Sequence, residues 1–313
     1  MERDTSISVV LPTYRAAEHL LCCARSLARE ADPAGLEVCI YGDGGGDASR
    51  EAIGRAAALL RAAGIAVAAT YNPVNLGNTR AVNAAAALAS GAWLLLANDD
   101  MAFPRGWRER IVPLLRPRRV LSLACAEPPA GGHRPASCFV PRDLGLDPER
   151  LDLAALDELD AAVSAPTLEP GANYPFLVER SLFRAVGGAD ERFADGPYHD
   201  PDLFLRLKLD GAELVRTRAA LLYHFSGISL RFGESGRRRS ASREWVRSEN
   251  LARLEFIRKW GAKPHAPFGR VPATRADAPW DERPRRLPER ARRAAILAVE
   301  RLRAALREAR HAR

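Results

Sequence analysis

Asp99 and Asp100 stand side by side directly after the apolar run Trp93-Leu94-Leu95-Leu96-Ala97. Two carboxylates at the end of a buried strand repel each other and contribute little to folding, so a divalent cation shared with a diphosphate is a natural compensation. Asp-Asp pairs also occur in surface loops without a ligand; it is the place behind a core strand that favours chemistry. Three other segments occupy comparable places. Pro12, Thr13 and Tyr14 end the apolar run 7–11, where an aromatic ring can stack a base or simply close a strand. The turn Gly42-Asp43-Gly44-Gly45-Gly46-Asp47 follows the run 37–41. Its glycines let a backbone approach a ligand closely, and Asp43 can accept hydrogen bonds from a base edge. The segment NLGNTRAVN, 75–83, opens a helix; Gly77 and Arg80 there suit a phosphate, while Asn75 or Asn78 serves equally as an ordinary N-cap.

These segments need a scaffold that delivers them to one edge. Short apolar runs at 7–11, 37–41, 66–70 and 93–97 alternate with Ala/Leu/Arg-rich helical patterns at 18–30, 49–63 and 79–89, which is the signature of βαβ units. The run WLLLA lacks polar alternation, as a strand covered on both faces should. In such sheets ligands bind at the carboxyl ends of the strands, where all four segments fall. The glycine turn is not a dinucleotide fingerprint: it follows the second strand, and Asp47 stands where GxGxxG needs glycine. No Walker GKS or GKT sequence occurs either. Beyond residue 117 the pattern loosens into a Pro/Gly-rich stretch. A short helix is expected at 149–163, a strand in NYPFLV (173–178), a helix at 202–208, a strand in AALLY (219–223) and an amphipathic helix at 244–260.

In order and spacing the four segments resemble the nucleotide-binding half of family 2 glycosyltransferases, and the resemblance extends over about residues 6–261. It implies the GT-A fold, an α/β architecture with a mostly parallel sheet and flanking helices. It also implies an inverting transfer of sugar from a nucleotide-sugar donor. In that family the segments matching Pro12, Thr13, Tyr14 and Asp43 hold the base. The position of Asp99 contacts ribose or metal, and that of Asp100 ligates Mn²⁺ or Mg²⁺. Position 42 is glycine here where many members carry a further Asp. The run 176–193 resembles the acceptor-side element, and YHDPDLFLRLKLDG (198–211) follows it. Family members usually have Glu-Asp-x-Asp-Leu there, which places the catalytic base at Asp200, preceded by His199 instead of Glu, with Asp202 and Asp195 as the nearest alternatives. His224 falls where many members supply a histidine to the metal, and FIRKWG (256–261) resembles a common closing helix. Taken singly, Asp200 can be a helix N-cap and His224 a satisfied core residue; the order of all the elements together carries the reading. A sugar nucleotidylyltransferase would need its Gly-rich loop after the first strand, where Pro12-Thr13-Tyr14 stand. A catalytically inert GT-A binding protein would not need both Asp100 and Asp200.

The remaining features bound the setting. With 47% hydrophobic and 27% charged residues the composition is that of an ordinary globular protein. The N-terminus MERDTSIS lacks the apolar core of a secretory signal, and the longest uncharged stretch, 81–98, is interrupted by Asn83, Ser90 and Gly91, so no transmembrane helix is expected. Five cysteines without CxxC spacing indicate neither a disulfide framework nor a zinc site and fit a reducing cytoplasm. Residues 283–313 hold eleven Arg against three Glu, so this stretch carries the whole formal charge of +8 and the rest of the chain is neutral. The expected organisation is a domain over 1–261, with a nucleotide-sugar half (1–116) and an acceptor half (117–261), then a Pro-rich linker (262–284) and a basic amphipathic helix (285–313). Nucleic acid is not an expected partner. The expected partners are a nucleotide-sugar, a glycan or lipid-linked acceptor and, through 285–313, the inner face of a plasma membrane.

Overall fold

The computed structural model describes residues 4–128, 139–193, 197–225, 243–264 and 287–310. Its first half is the alternation read from the sequence: β1 (Ile7–Thr13), α1 (Ala17–Leu27), β2 (Leu36–Asp43), α2 (Gly46–Ala62), β3 (Ala66–Asn72), α3 (Asn78–Ala87) and β4 (Trp93–Leu96). Every residue of β1 and β4 is buried, because helices cover both faces of the sheet.

The second half adds β5 (Met101–Ala102), α4 (Trp107–Ile111), β6 (Arg119–Glu127), β7 (Phe139–Pro141), α5 (Leu153–Val163), β8 (Ala165–Pro170), β9 (Phe176–Glu179), α6 (Arg180–Ala185), α7 (His199–Leu209), β10 (Glu213–His224), α8 (Arg243–Trp260) and α9 (Leu287–Arg310). Strand β6 is the main departure from the sequence expectation. RVLSLACAE was absorbed into the loosened stretch after residue 117, yet its first eight residues are buried and it pairs with β7, β9 and β10.

One sheet runs through both halves in the order β3-β2-β1-β4-β9-β6-β10-β5. β1 to β4 are parallel, β9 runs antiparallel between β4 and β6, and β10 is again parallel to β6. The carboxyl ends of β1, β2, β3, β4, β6 and β10 therefore share one edge of the sheet, and the amino end of β9 meets them there. The strand register makes this concrete: Phe176 at the start of β9 pairs with Leu96 at the end of β4.

The sheet's two faces are packed by separate clusters. One includes Leu11, Leu20, Leu27, Ile40, Leu60, Leu95, Phe103 and Trp107; the other includes Val10, Val82, Leu94, Phe176, Phe183 and Phe204. Cys22, Cys23, Cys39 and Cys125 are buried free thiols. Among the described residues no helix is long and apolar enough to cross a membrane. Most of the segment 262–284 lies outside the described residues.

Candidate active site

The turn after β2 fits its neighbours only without side chains. Gly44 and Gly45 have φ of 86° and 97°; a Cβ on Gly45 would lie 2.3 Å from Ser49 Oγ, and one on Gly44 would lie 3.1 Å from Asn75 N. Asp43, 2% exposed, accepts the amides of Leu76 at 2.8 Å and Gly77 at 2.9 Å. Both its oxygens thus brace the loop ahead of α3. The acid expected to read a base edge holds the wall of the cleft. At position 42 the space is filled from elsewhere: a Cβ would meet Ile53 Cδ1 at 2.4 Å and Tyr71 Cδ2 at 2.7 Å. Gly77 itself, not Asn75 or Asn78, is the N-cap of α3, and no side chain caps that helix. Arg80 is exposed and ion-paired to Glu191 at 3.1 Å.

Pro12 and Thr13 are buried and Tyr14 is 38% exposed, with the Arg15 guanidinium 5.1 Å from its ring centre. The Thr13 side chain and the Tyr14 amide hydrogen-bond to Asp99. Burial and the adjacent Asp100 nonetheless push the Asp99 carboxyl up to about 7.

Asp100, 8% exposed, is brought to His224 by backbone pairing. His224 sits opposite Met101 in the β10–β5 ladder, and the Phe225 amide donates to the Asp100 carbonyl at 3.1 Å. Their side chains follow: His224 Nε2 is 3.2 Å from Asp100 Oδ1. On the far side of the ring, His224 Nδ1 lies 2.6 Å from Glu127 Oε1, delivered by β6. A carboxylate only accepts, so each ring nitrogen turns a proton to its own carboxylate, Nδ1 to Glu127 and Nε2 to Asp100, and the imidazole is held as a cation between them. Burial alone would lower the imidazole; the Asp100 and Glu127 carboxylates outweigh it and raise it to about 10. Among the described residues no group of three or more His, Cys, Asp or Glu side chains is arranged to hold a metal. A divalent cation there would be held by Asp100 and, once Nε2 gives up its proton, by His224, with its other ligands drawn from a diphosphate. The carboxylate behind the histidine is the arrangement that orients imidazole ligands.

The family model described as Glycosyl transferase family 2 matches residues 8–127. Residues 8–127 are a family 2 glycosyltransferase domain. Among solved structures, the chain is similar to Staphylococcus aureus TarS 1–349, at 14% identity over 80% of this chain and 65% of that one, with a TM-score of 0.51. It is similar to a mannosyltransferase from Pyrobaculum calidifontis, solved with GDP-Man and Mn²⁺, at 16% identity over 84% and 67%, with a TM-score of 0.53. It is also similar to GalNAc-T7, solved with UDP, GalNAc and Mn²⁺, at 13% identity over 83% and 49%, with a TM-score of 0.57. These likenesses show the fold, GT-A. No curated protein matches the chain in sequence.

The rest of the chain completes that edge of the sheet. Tyr174, just ahead of β9, has its hydroxyl pushed well above the usual tyrosine value by burial and then by the charges of Asp200, Asp99 and Asp100. One ring thus feels the carboxylates of both halves. Asp200 lies in the first turn of α7, 3.0 Å from His199 Nε2, and its side chain is about a quarter exposed. Asp202 is different: wholly buried, it receives Trp260 Nε1 at 2.8 Å, Lys259 Nζ at 2.6 Å and Arg206 Nε at 2.9 Å. It is an anchor between α7 and α8 and has no access to an acceptor. Asp195 lies outside the described residues. Glu127 and Tyr174 went unnoticed in the sequence; the apolar run ending at Glu127 was the available signal for the first, and nothing but position marks the second.

Proposed function

We propose that the chain is an inverting, metal-dependent glycosyltransferase moving a sugar from a nucleotide diphosphate sugar to an acceptor hydroxyl. The observation that carries this reading is the meeting of Asp100 and His224, 3.2 Å apart, at the sheet edge where the Tyr174 hydroxyl also feels the charge of Asp200. The donor's base and ribose are assigned to the cleft bounded by Pro12, Thr13, Tyr14, Asp43 and Asp99. Its diphosphate is assigned to the uncapped start of α3 at Gly77, with Arg80 at the rim. Mn²⁺ or Mg²⁺ held by Asp100 and His224 would draw charge from the leaving phosphate oxygen.

Asp200 accepts the proton of the attacking hydroxyl as its oxygen forms the new bond to the anomeric carbon. The bond from that carbon to the diphosphate breaks on the opposite face, its electrons leaving with the phosphate, and the configuration inverts. His224, fixed by Glu127, keeps one nitrogen towards Asp100 throughout. Bacterial glycan or glycolipid assembly in the cytoplasm is the setting proposed, and the basic C-terminal helix fits an enzyme working on a glycan or lipid-linked acceptor at a bilayer.

The test is donor hydrolysis and transfer across UDP-, GDP- and dTDP-sugars with Mn²⁺ or Mg²⁺. Asp100→Asn should lower turnover by at least ~10²-fold. Full activity of that variant after EDTA treatment removes the metal assignment. The absence of turnover with every donor, alongside measurable nucleotide binding, leaves the inert binding protein as the reading.

A further inference from the structure

Helix α9 leaves most of its large apolar side chains in the open. An amphipathic surface helix ordinarily buries its apolar stripe and shows its charged one to water. Here the covered side mixes half-buried Ile296 and Leu297 and buried Ala304 with Glu300 (3% exposed), Arg307 and Glu308. Polar contacts fasten it. Asn250 Nδ2 donates to the Ala304 carbonyl at 3.3 Å and to Glu308 Oε1 at 2.9 Å. Arg293 Nη1 donates to the Arg258 carbonyl at 3.0 Å, and Lys263 Nζ pairs with Glu300 at 2.8 Å. Turned outward are Leu287, Val299, Leu302 and Leu306, exposed by 78%, 47%, 64% and 53%, with alanines between them.

We infer that this outward stripe is a docking face for an anionic lipid bilayer. By the 3.6-residue period, exposed Arg292 and Arg310 border the stripe on one side and exposed Arg290 and Arg301 on the other, where long side chains reach headgroup phosphates while the leucines enter the acyl boundary. The same borders count against a second copy of the chain as the occupant. Pairing two stripes would set arginine rows against each other, and Glu300 and Glu308, which would relieve them, are turned inward. Residues 283–313 carry the whole formal charge of +8, half of it on the helix itself, with seven Arg against three Glu, and half on Arg283, Arg285, Arg286 and Arg313 beside its ends, so attraction to an acidic surface is concentrated on this stretch.

The mounting also links the face to chemistry. Glu249, beside the Asn250 that grips α9, accepts the Tyr198 hydroxyl at 3.0 Å, and Tyr198 directly precedes the turn bearing Asp200. The helix that carries the bilayer face is thus joined through α8 to the element bearing the proposed base; this last step rests on the transferase reading, whereas the docking face does not.

The experiment is co-sedimentation of the full chain with phosphatidylglycerol and with phosphatidylcholine vesicles, at low and high salt, for the wild type and Leu302→Ser/Leu306→Ser. Both proteins are first compared by circular dichroism, and light scattering gives their oligomeric state. The wild type should pellet with phosphatidylglycerol alone and be released by high salt, and the double variant should bind at least ~10-fold more weakly with its fold intact. Equal pelleting of the two proteins, or none by the wild type, overturns the inference. A wild-type dimer dispersed by the double variant assigns the face to self-association instead. None of these outcomes depends on whether the enzyme turns over.

Discussion

Glu127 shows how much a residue outside the ligand pair can decide. Its carboxylate takes the Nδ1–H of His224 and so fixes the ring's orientation, and removing its charge should loosen the ring without touching Asp100. Glu127→Gln is expected to weaken Mn²⁺ binding, measured by titration in the presence of nucleoside diphosphate, by about 10- to 100-fold. Unchanged affinity would separate His224 from the metal. Asp200→Asn keeps shape and a capping oxygen but loses the proton acceptor. Transfer should fall roughly 10²- to 10⁴-fold while donor binding, followed by calorimetry, survives. Near-normal transfer would point to Asp195, since Asp202 is sealed among Lys259, Arg206 and Trp260. Residues beside strand ends were legible in the sequence because a motif names them. Glu127 was not, because β6 carries no motif and its partner is almost a hundred residues away.

At the scale of elements, α7 holds its attitude through ion pairs to α8. Removing Asp202 would leave Lys259 and Arg206 with buried positive charge, so Asp202→Ala should cost about 3 kcal/mol or more in urea unfolding. A loss below ~1 kcal/mol would mean that Asp190 carries the anchor alone. Asp190 itself accepts Lys259 at 2.6 Å and Arg192 at 2.8 Å. Burial would raise its carboxyl, but the hydrogen bonds from Arg192 and Lys259 hold it well below the ordinary range. Because the folded value is depressed, its contribution is complete above the unfolded value near 4 and shrinks as pH falls below that. The stability gap between wild type and Asp190→Asn should therefore be wider at pH 7 than at pH 3.5, and a gap independent of pH would contradict the ion pairing. The longer helices were legible from periodicity, α8 and α9 within a few residues, whereas α4 and α6 are too short to show a period. Which stripe of α9 faces inward was not, since the pattern fixes two faces and only the partner chooses between them.

Across the whole molecule, the first four strands could be read in order because each βα unit is local, and local alternation is visible in one dimension. The second half is built from pairings between distant segments: β9 inserts antiparallel between β4 and β6, and β10 reaches back to β6 across a break in register between Thr217 and Leu221. No window of sequence displays such pairings. The two halves predicted at 1–116 and 117–261 consequently share one continuous sheet.

That shared sheet has a consequence for how the protein is made. A ribosome that has released only residues 1–127 has delivered Asp100 and every residue proposed to line the nucleotide site, but β4 lacks β9 beside it and β6 lacks both β9 and β10. Each would show a bare row of amides and carbonyls flanked by apolar side chains, a template for pairing with another chain. The nascent domain must wait, exposed, for nearly a hundred further residues before β10 closes the sheet and brings His224 to Asp100. A fragment ending at residue 127 is therefore expected to aggregate when expressed alone, and a soluble monomer of that length would show that the nucleotide half can fold by itself.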